Sequence, residues 1–229
     1  MPSDLTTIAD PQFILLAWAG GLALVSSFVS LAKVVGPGFT WVIGPVTALI
    51  SLGAVFSDEA WWAKAGFLAV ILGTIWARKK TVSGTLTGAG GVLLLAQASL
   101  IGGVLPAISA ALALGGVTGE MILGHWYLVD PRLPRWSLRW LAYVGIGGLV
   151  ADALVVSLAG LPGGGATVAY WALMITSVVL MAGVVGSLRY PAYSGVMAAT
   201  GLSYLAVLTA LGAVFLGRVL VAGLGPFGT

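Results

Sequence analysis

Long runs of apolar residues, separated by short clusters of glycine, proline and charged residues, occupy the whole chain. The runs reach or approach the ~20 residues that an α-helix needs to cross a bilayer. Glycine and proline between such runs are typical of the ends of helices. The predicted helices cover about residues 12–34, 39–56, 61–77, 82–101, 104–129, 137–159, 166–187 and 194–222. We therefore expect an all-α polytopic membrane protein, a bundle of eight transmembrane helices.

The connections between these runs are all short, so none of them divides the chain. We expect a single transmembrane domain over residues 1–229. Composition agrees with this interpretation, because 59% of the residues are hydrophobic and 7% are charged, whereas soluble domains carry about 25% charged residues. The net charge of +3 does not indicate nucleic-acid binding, since no basic patch lies outside the apolar runs.

Charged residues alternate in sign from one predicted connection to the next. The basic connections contain Lys33, Arg78, Lys79, Lys80, Arg132, Arg135, Arg139 and Arg189, and the acidic segments contain Asp4, Asp10, Asp58 and Glu59. Cytoplasmic loops of membrane proteins are enriched in Lys and Arg. The pattern predicts a cytoplasmic basic side, both termini outside, and an inner (plasma) membrane location. Lys64 and Arg218 lie near predicted outer helix ends, where we expect them to extend to the headgroups.

Residue content restricts the chemistry that the chain can perform by itself. There is no cysteine and only one histidine, which excludes disulfides, thiol catalysis and cysteine-bound metal sites. A haem held by two histidines is likewise excluded. We expect no catalytic residue, no metal and no cofactor bound covalently or by metal ligation. A quinone or a lipid is the ligand that such a chain is expected to bind.

Three ionisable residues fall inside the predicted spans, and such residues are candidates for function because burying them is costly. Glu120 lies ~15 Å from the cytoplasmic edge and Asp152 ~20 Å from Arg139, on successive helices. We expect these carboxyl groups to meet near the midplane, where two like charges cannot both be ionised. They would carry protons or coordinate a cation or a quinone headgroup. The alternative is that each merely forms hydrogen bonds across the bundle.

His125 and Tyr204 complete the set of candidate residues. His125 lies only ~7 Å from the cytoplasmic edge, where it is either an interfacial anchor or a proton donor at a quinone site. It points ~140° away from Glu120 around the helix, so a relay between them needs water or another helix. Tyr204 on the last predicted helix is a further candidate, because a buried phenol usually requires a hydrogen-bond partner.

The layout resembles a known family of membrane anchors. Eight helices with short loops and both ends outside resemble the anchors of dimethyl sulfoxide reductase-type complexes and the related polysulfide reductase (NrfD-like) subunits. The segment Gly201–Arg218 looks like the last helix of some such anchors. The resemblance implies a subunit that passes electrons between a quinone and an iron–sulfur partner while holding no metal of its own. It assigns no role to any individual residue.

Two functions from different classes are therefore expected. The first is an integral membrane subunit of a respiratory or other redox complex, with protonatable residues that act on a quinone, with other subunits and lipid as partners. The second is a small secondary transporter or channel that uses Glu120 and Asp152 for proton or cation coupling. Transporters of this kind are often built from paired repeats with broken helices, and the two halves of this chain show no matching interruption. A membrane-embedded enzyme is a third option, for which no nucleophile–base pair is visible.

Overall fold

The computed structural model describes residues 10–55 and 60–223. Within these ranges the chain is entirely helical apart from short connections. The acidic residues Asp4, Asp58 and Glu59 lie outside the described residues. The helices are α1 (Pro11–Leu31), α2 (Pro37–Val55), α3 (Trp61–Ile75), α4 (Lys80–Gly102), α5 (Val104–Val129), α6 (Arg135–Ala159), α7 (Gly165–Arg189) and α8 (Tyr193–Val221). The prediction of eight helices is confirmed for the described part of the chain.

Helix boundaries follow local chemistry that the sequence displays. The Asp10 carboxylate accepts a hydrogen bond from the backbone N–H of Gln12 at 2.8 Å, and Pro11 occupies the first position of α1. Asp is a favoured capping residue, and proline at the first position loses no helical hydrogen bond. Gly103 separates α4 from α5 with a φ of 90°, a conformation that glycine adopts without strain.

Seven of the helices in the described residues are long and apolar enough to cross a membrane. The exception is α3, whose 15 residues give a length of ~22 Å, shorter than predicted. These lengths and compositions indicate a multi-pass helical membrane protein. Many large apolar side chains face outward, among them Leu158 at 87% exposure and Leu105 at 71%, as expected where lipid rather than water surrounds the bundle.

Helices α1 and α5 form the centre of the bundle. The most apolar windows of α1 and α5 are 72% and 78% buried, against 33–44% for the other spanning helices. Helix α1 packs against α2, α4 and α5, whereas α5 packs against α1, α4, α6 and α8. The α3 helix packs on α2 and α4 at one side, and α7 packs on α6 and α8 at the other. Side chains on α5 therefore have the greatest access to neighbouring helices.

Glycines allow α5 to approach its neighbours at backbone distance. A Cβ on Gly116 would lie 2.6 Å from the backbone nitrogen of Gly145 on α6, and a Cβ on Gly148 would overlap the backbone of Ala113. On the opposite face, Gly115 lies against Gly21 of α1. In a bilayer no hydrophobic force drives helices together, so their association depends on close van der Waals packing, which small residues allow. These contacts set the register of α5 against α1 and α6.

The four connections that carry basic residues meet at one end of the bundle, which we call the basic end. The guanidinium of Arg135 donates to the carbonyl oxygens of Tyr190 and Pro191, both at 2.7 Å, and so joins the α5–α6 and α7–α8 connections. The Trp126 ring packs edge-on against Phe39 at 6.2 Å, near the start of α2. Arg78, which follows α3, lies over the ring of Trp41 at 5.9 Å.

Substitution of two adjacent glycines of α6 tests this packing. We expect Gly148→Ala to lower the free energy of unfolding by about 1–3 kcal/mol, because the added methyl overlaps backbone of α5. Gly147→Ala is the matched control: a Cβ there has nothing within 4 Å, and alanine favours a helix by up to about 1 kcal/mol. Thermal unfolding of both variants in detergent provides the comparison. Equal destabilisation by the two changes would contradict the packing described.

Candidate functional site

Glu120 is the candidate that the structure isolates most clearly. Its side chain is fully buried, and neither carboxyl oxygen has a hydrogen-bond partner among the described residues. The glycines one turn to either side remove side-chain bulk: Gly116 lies against α6, and Gly124 lies against the Thr200 hydroxyl of α8. A buried polar group without a partner is costly. Glu120 is therefore poorly explained by packing alone.

The nearest hydroxyl groups of α8 are occupied by their own helix. The Ser203 side chain lies beside the Glu120 carboxyl group, but its hydroxyl donates to the carbonyl oxygens of Ala199 and Thr200 at 3.1 and 2.9 Å. The Thr200 hydroxyl donates to the carbonyl oxygen of Val196 at 2.9 Å. Hydroxyls in helices commonly bond in this way. A rotation of either hydroxyl would give the carboxyl group a partner on α8.

His125 and Tyr204 form a pair at the lipid-facing side of the same two helices. The Tyr204 hydroxyl lies 3.2 Å from Nδ1 of His125, and the two rings meet edge-on at 6.5 Å. Both residues are exposed, Tyr204 to 46%. Side chains of helices lean toward the N-terminus of their own helix, and because α5 and α8 run in opposite directions the two side chains converge. The expectation that Tyr204 is buried is wrong, although it does find a partner.

Helix α8 connects the two groups that α5 holds apart. Glu120 is buried and His125 is exposed, which agrees with their different faces on α5. The consecutive residues Ser203 and Tyr204 lie beside Glu120 and His125 respectively. Helix α8 is therefore the neighbouring helix that contacts both α5 residues. Sequence alone did not identify it, because pairing between the fifth and eighth helices is a long-range contact.

Asp152 belongs to a different cluster, so the expected meeting of Glu120 and Asp152 is wrong. Asp152 lies opposite Ser109, whose hydroxyl donates to Oδ1 at 2.7 Å. Glu120 is eleven residues further along α5, a distance of ~16 Å. The glycine contacts described above set this register, with Gly148 against Ala113 and Gly145 against Gly116. The error arose because both depths were measured from the cytoplasmic edge as though α5 and α6 entered the membrane at one level.

Arg218 is the partner of Asp152, and the expectation that it extends to the headgroups is wrong. Its side chain is 1% exposed, and Nη2 forms an ion pair with Oδ1 of Asp152. Nη2 also donates to the carbonyl oxygen of Pro106 at 3.1 Å. A buried ion with a close opposite charge and additional hydrogen bonds avoids the penalty of an isolated charge. The sequence contains a signal for this pair, since both residues are predicted within a few turns of outer helix ends.

Aromatic rings enclose this ion pair. The Arg218 guanidinium carbon lies 5.6 Å from the centroid of the Phe13 ring of α1. The ring of Tyr170 on α7 packs against Gly217, and its buried hydroxyl has no partner among the described residues. Neither Phe13 nor Tyr170 was identified as a site residue from sequence. The cluster joins α1, α5, α6, α7 and α8 near the end of the bundle opposite the basic end.

An apolar layer separates Glu120 from the ion pair. Thr118 is the only hydroxyl residue between Ser109 and Glu120 on α5, and it accepts a hydrogen bond from Nε1 of Trp18 at 3.0 Å. The other buried side chains that lie between the two groups on α5 and α8 are Ala110, Ala111, Ala113, Leu114, Val117, Ala206, Ala210, Ala213 and Val214. The buried side chains in this layer therefore include no ionisable group. The polar side chains nearest to Glu120 are therefore on the side of the His125–Tyr204 pair, not at the opposite end of the bundle.

Within the described ranges, no three His, Cys, Asp or Glu residues form a group that could hold a metal ion. Comparison with known proteins gives no match: no protein-family model, no curated protein and no solved structure is significantly similar to this chain. The candidate site is therefore defined by its own geometry.

Removal of one member of the ion pair tests whether the pair holds the helices together. We expect Arg218→Met to lower the free energy of unfolding by about 3–5 kcal/mol, because Asp152 is left buried without its counter-charge. The double variant with Asp152→Leu should be more stable than this single variant, since no isolated charge remains. Arg189→Met, at an exposed position, is the control and should change little. A double variant less stable than Arg218→Met would contradict the pairing.

Proposed function

We propose that this protein is the quinone-reactive membrane subunit of a redox complex. In this proposal the His125–Tyr204 pair binds the quinone headgroup and Glu120 exchanges protons with it. The observation that carries the proposal is the arrangement around α8: a lipid-exposed histidine–tyrosine pair lies beside a fully buried carboxyl group without a partner. A quinone reaches such a site from within the bilayer, where its tail is dissolved.

The chemistry of a quinone matches the groups present. Reduction of a quinone to a quinol adds two electrons and two protons, one proton to each carbonyl oxygen. The hydrogen bond between Tyr204 and His125 uses one of the two protons that the pair carries, and the remaining O–H or N–H donates to a carbonyl oxygen of the quinone. Glu120 supports the second requirement, a nearby source or acceptor of protons. An ionised carboxylate buried without a partner is very costly, so we propose that Glu120 rests as the neutral acid.

The electrons are proposed to come from, or go to, a partner subunit with a metal redox centre. One histidine and no cysteine leave this chain without an ordinary ligand set for a haem or an iron–sulfur cluster. The resemblance in layout to dimethyl sulfoxide reductase-type and polysulfide reductase anchors supports the same division of labour. A partner would dock at the basic end, where Arg132 is exposed and short connections leave the surface accessible. There it would lie within the same half of the bundle as His125.

A transporter or channel coupled to protons or cations is the second candidate. The unpartnered carboxyl group of Glu120 favours it, because a carrier needs a group that takes up and releases its ion. A transporter in which Glu120 and Asp152 bind the ion together is less well supported, because Asp152 is paired with Arg218. The apolar layer between Glu120 and Asp152 also contains no buried ionisable group that would carry a proton to the opposite side. We therefore place the redox function first.

The proposed orientation puts the basic end in the cytoplasm and both termini outside, in the inner (plasma) membrane. It rests on the positive-inside rule and on the basic connections that gather at one end. Reporter fusions after Lys80 and after Gly164 should be cytoplasmic and external respectively. A third fusion after Arg132 should behave like the first. The proposal fails if the fusions after Lys80 and Gly164 lie on the same side.

Substitution of Glu120 tests the proposed proton exchange. We expect Glu120→Gln to preserve folding, since shape is nearly unchanged, and to lower quinone turnover of the native complex by about a hundredfold or more, as loss of an acid–base group does. Turnover is measured in isolated membranes, with thermal unfolding as the check on stability. Ser177→Ala, a buried hydroxyl on α7 that bonds to Leu173 and Thr209, is the control. If Glu120→Gln retains full turnover while Glu120→Leu only reduces stability, Glu120 is structural.

A further inference from the structure

A groove on the lipid-facing surface between α1 and α8 begins one helical turn from the His125–Tyr204 pair. We call it the α1–α8 groove; it has a volume of about 510 Å³ and is lined by Ile14, Leu15 and Trp18 of α1 and by Leu208, Leu211 and Phe215 of α8, with Pro11 and Gly212. Its volume is within the range of small-molecule sites. No charged side chain lines it. The groove therefore suits a hydrocarbon chain.

The groove and the pair lie on one stripe of α8. Residues four and seven apart share a helical face, so Tyr204, Leu208, Leu211 and Phe215 form a continuous row. The row from Leu208 to Phe215 extends ~10 Å away from the basic end. On the floor of the groove, the indole of Trp18 is held by its hydrogen bond to Thr118, two turns before His125 on the same face of α5. The polar position at His125 and Tyr204 thus lies next to the apolar α1–α8 groove.

We infer that the α1–α8 groove holds the isoprenoid tail of the quinone whose headgroup binds at His125 and Tyr204. This inference rests on the proposed function and extends it to a defined binding path. The phenol and the imidazole at the headgroup position suit an uncharged headgroup that accepts a hydrogen bond, and in the described residues neither has a hydrogen bond or ring contact with Lys or Arg. A phospholipid, whose phosphate favours Lys and Arg, fits this position less well.

The groove is expected to add selectivity rather than large affinity. A tail that enters it leaves lipid, not water, so the gain comes from fitted packing instead of the hydrophobic effect. Filling the groove should therefore weaken binding of a tailed quinone by about three- to tenfold. It should leave binding of the headgroup alone unchanged, since that molecule has nothing to place in the groove.

The experiment compares two ligands on three variants of the full-length protein in lipid nanodiscs. The ligands are decylubiquinone and the same benzoquinone headgroup without a tail, and affinity is obtained from the rise of the melting temperature with ligand concentration. Leu208→Trp fills the groove, and Leu100→Trp on α4 is the matched control because the two leucines are 68% and 70% exposed. Tyr204→Phe removes the phenol from the headgroup position.

The expected result is that Leu208→Trp weakens decylubiquinone only, Leu100→Trp weakens neither ligand, and Tyr204→Phe weakens both. If Tyr204→Phe weakens both ligands but Leu208→Trp acts no differently from Leu100→Trp, the groove assignment is wrong and the headgroup site stands. If neither ligand raises the melting temperature of the unmodified protein, the proposed quinone function itself is wrong. Release of co-purified phospholipid by Leu208→Trp, with quinone binding unchanged, would assign the groove to a membrane lipid and overturn the inference.

Discussion

Close contact between the backbone of α5 and those of α1 and α6 is the constraint on which the rest of the structure depends. Gly115 meets Gly21 on one side, and Gly116 meets Gly145 on the other. In a bilayer such contacts replace the hydrophobic force that drives packing in water. Because backbones rather than flexible side chains touch, the register of these helices has little freedom. The positions of Ser109 and Glu120 relative to α6 and α8 follow from it.

That register separates the buried polar groups into two kinds. Asp152 and Arg218 form an ion pair to which Ser109 adds a hydrogen bond, so each buried charge has a counter-charge, although Oδ2 of Asp152 and Nε of Arg218 have no partner among the described residues. Glu120 lies a few turns away on α5, where the facing hydroxyls of α8 bond to their own backbone. A buried charge beside its counter-charge avoids the penalty of an isolated charge, whereas a carboxyl group without any partner is retained at a cost. The second kind is therefore the better marker of function.

Helix positions were the part of the fold most open to sequence analysis. Apolar runs and their glycine, proline and charged breaks placed all eight helices of the described residues within a few residues of their observed ends. The largest difference is at the end of α1, which was expected at about residue 34 and lies at Leu31. Glu120 and His125 stand out in the sequence as candidates, because ionisable residues inside apolar runs are rare. The sequence indicated that Tyr204 would have a hydrogen-bond partner, but it did not identify that partner as His125.

The sequence by itself determined that the chain forms apolar helices, where those helices begin and end, and which few residues carry ionisable groups within them. These properties depend on local composition and on periodicity along one helix. Only the tertiary structure decided the partners: Arg218 for Asp152, Tyr204 for His125, and none for Glu120 in the described residues. Partners depend on the register and order of helices far apart in the chain. Backbone contacts at glycines determine that register. Because glycine has no side chain, the sequence pattern around it does not indicate which helix it contacts.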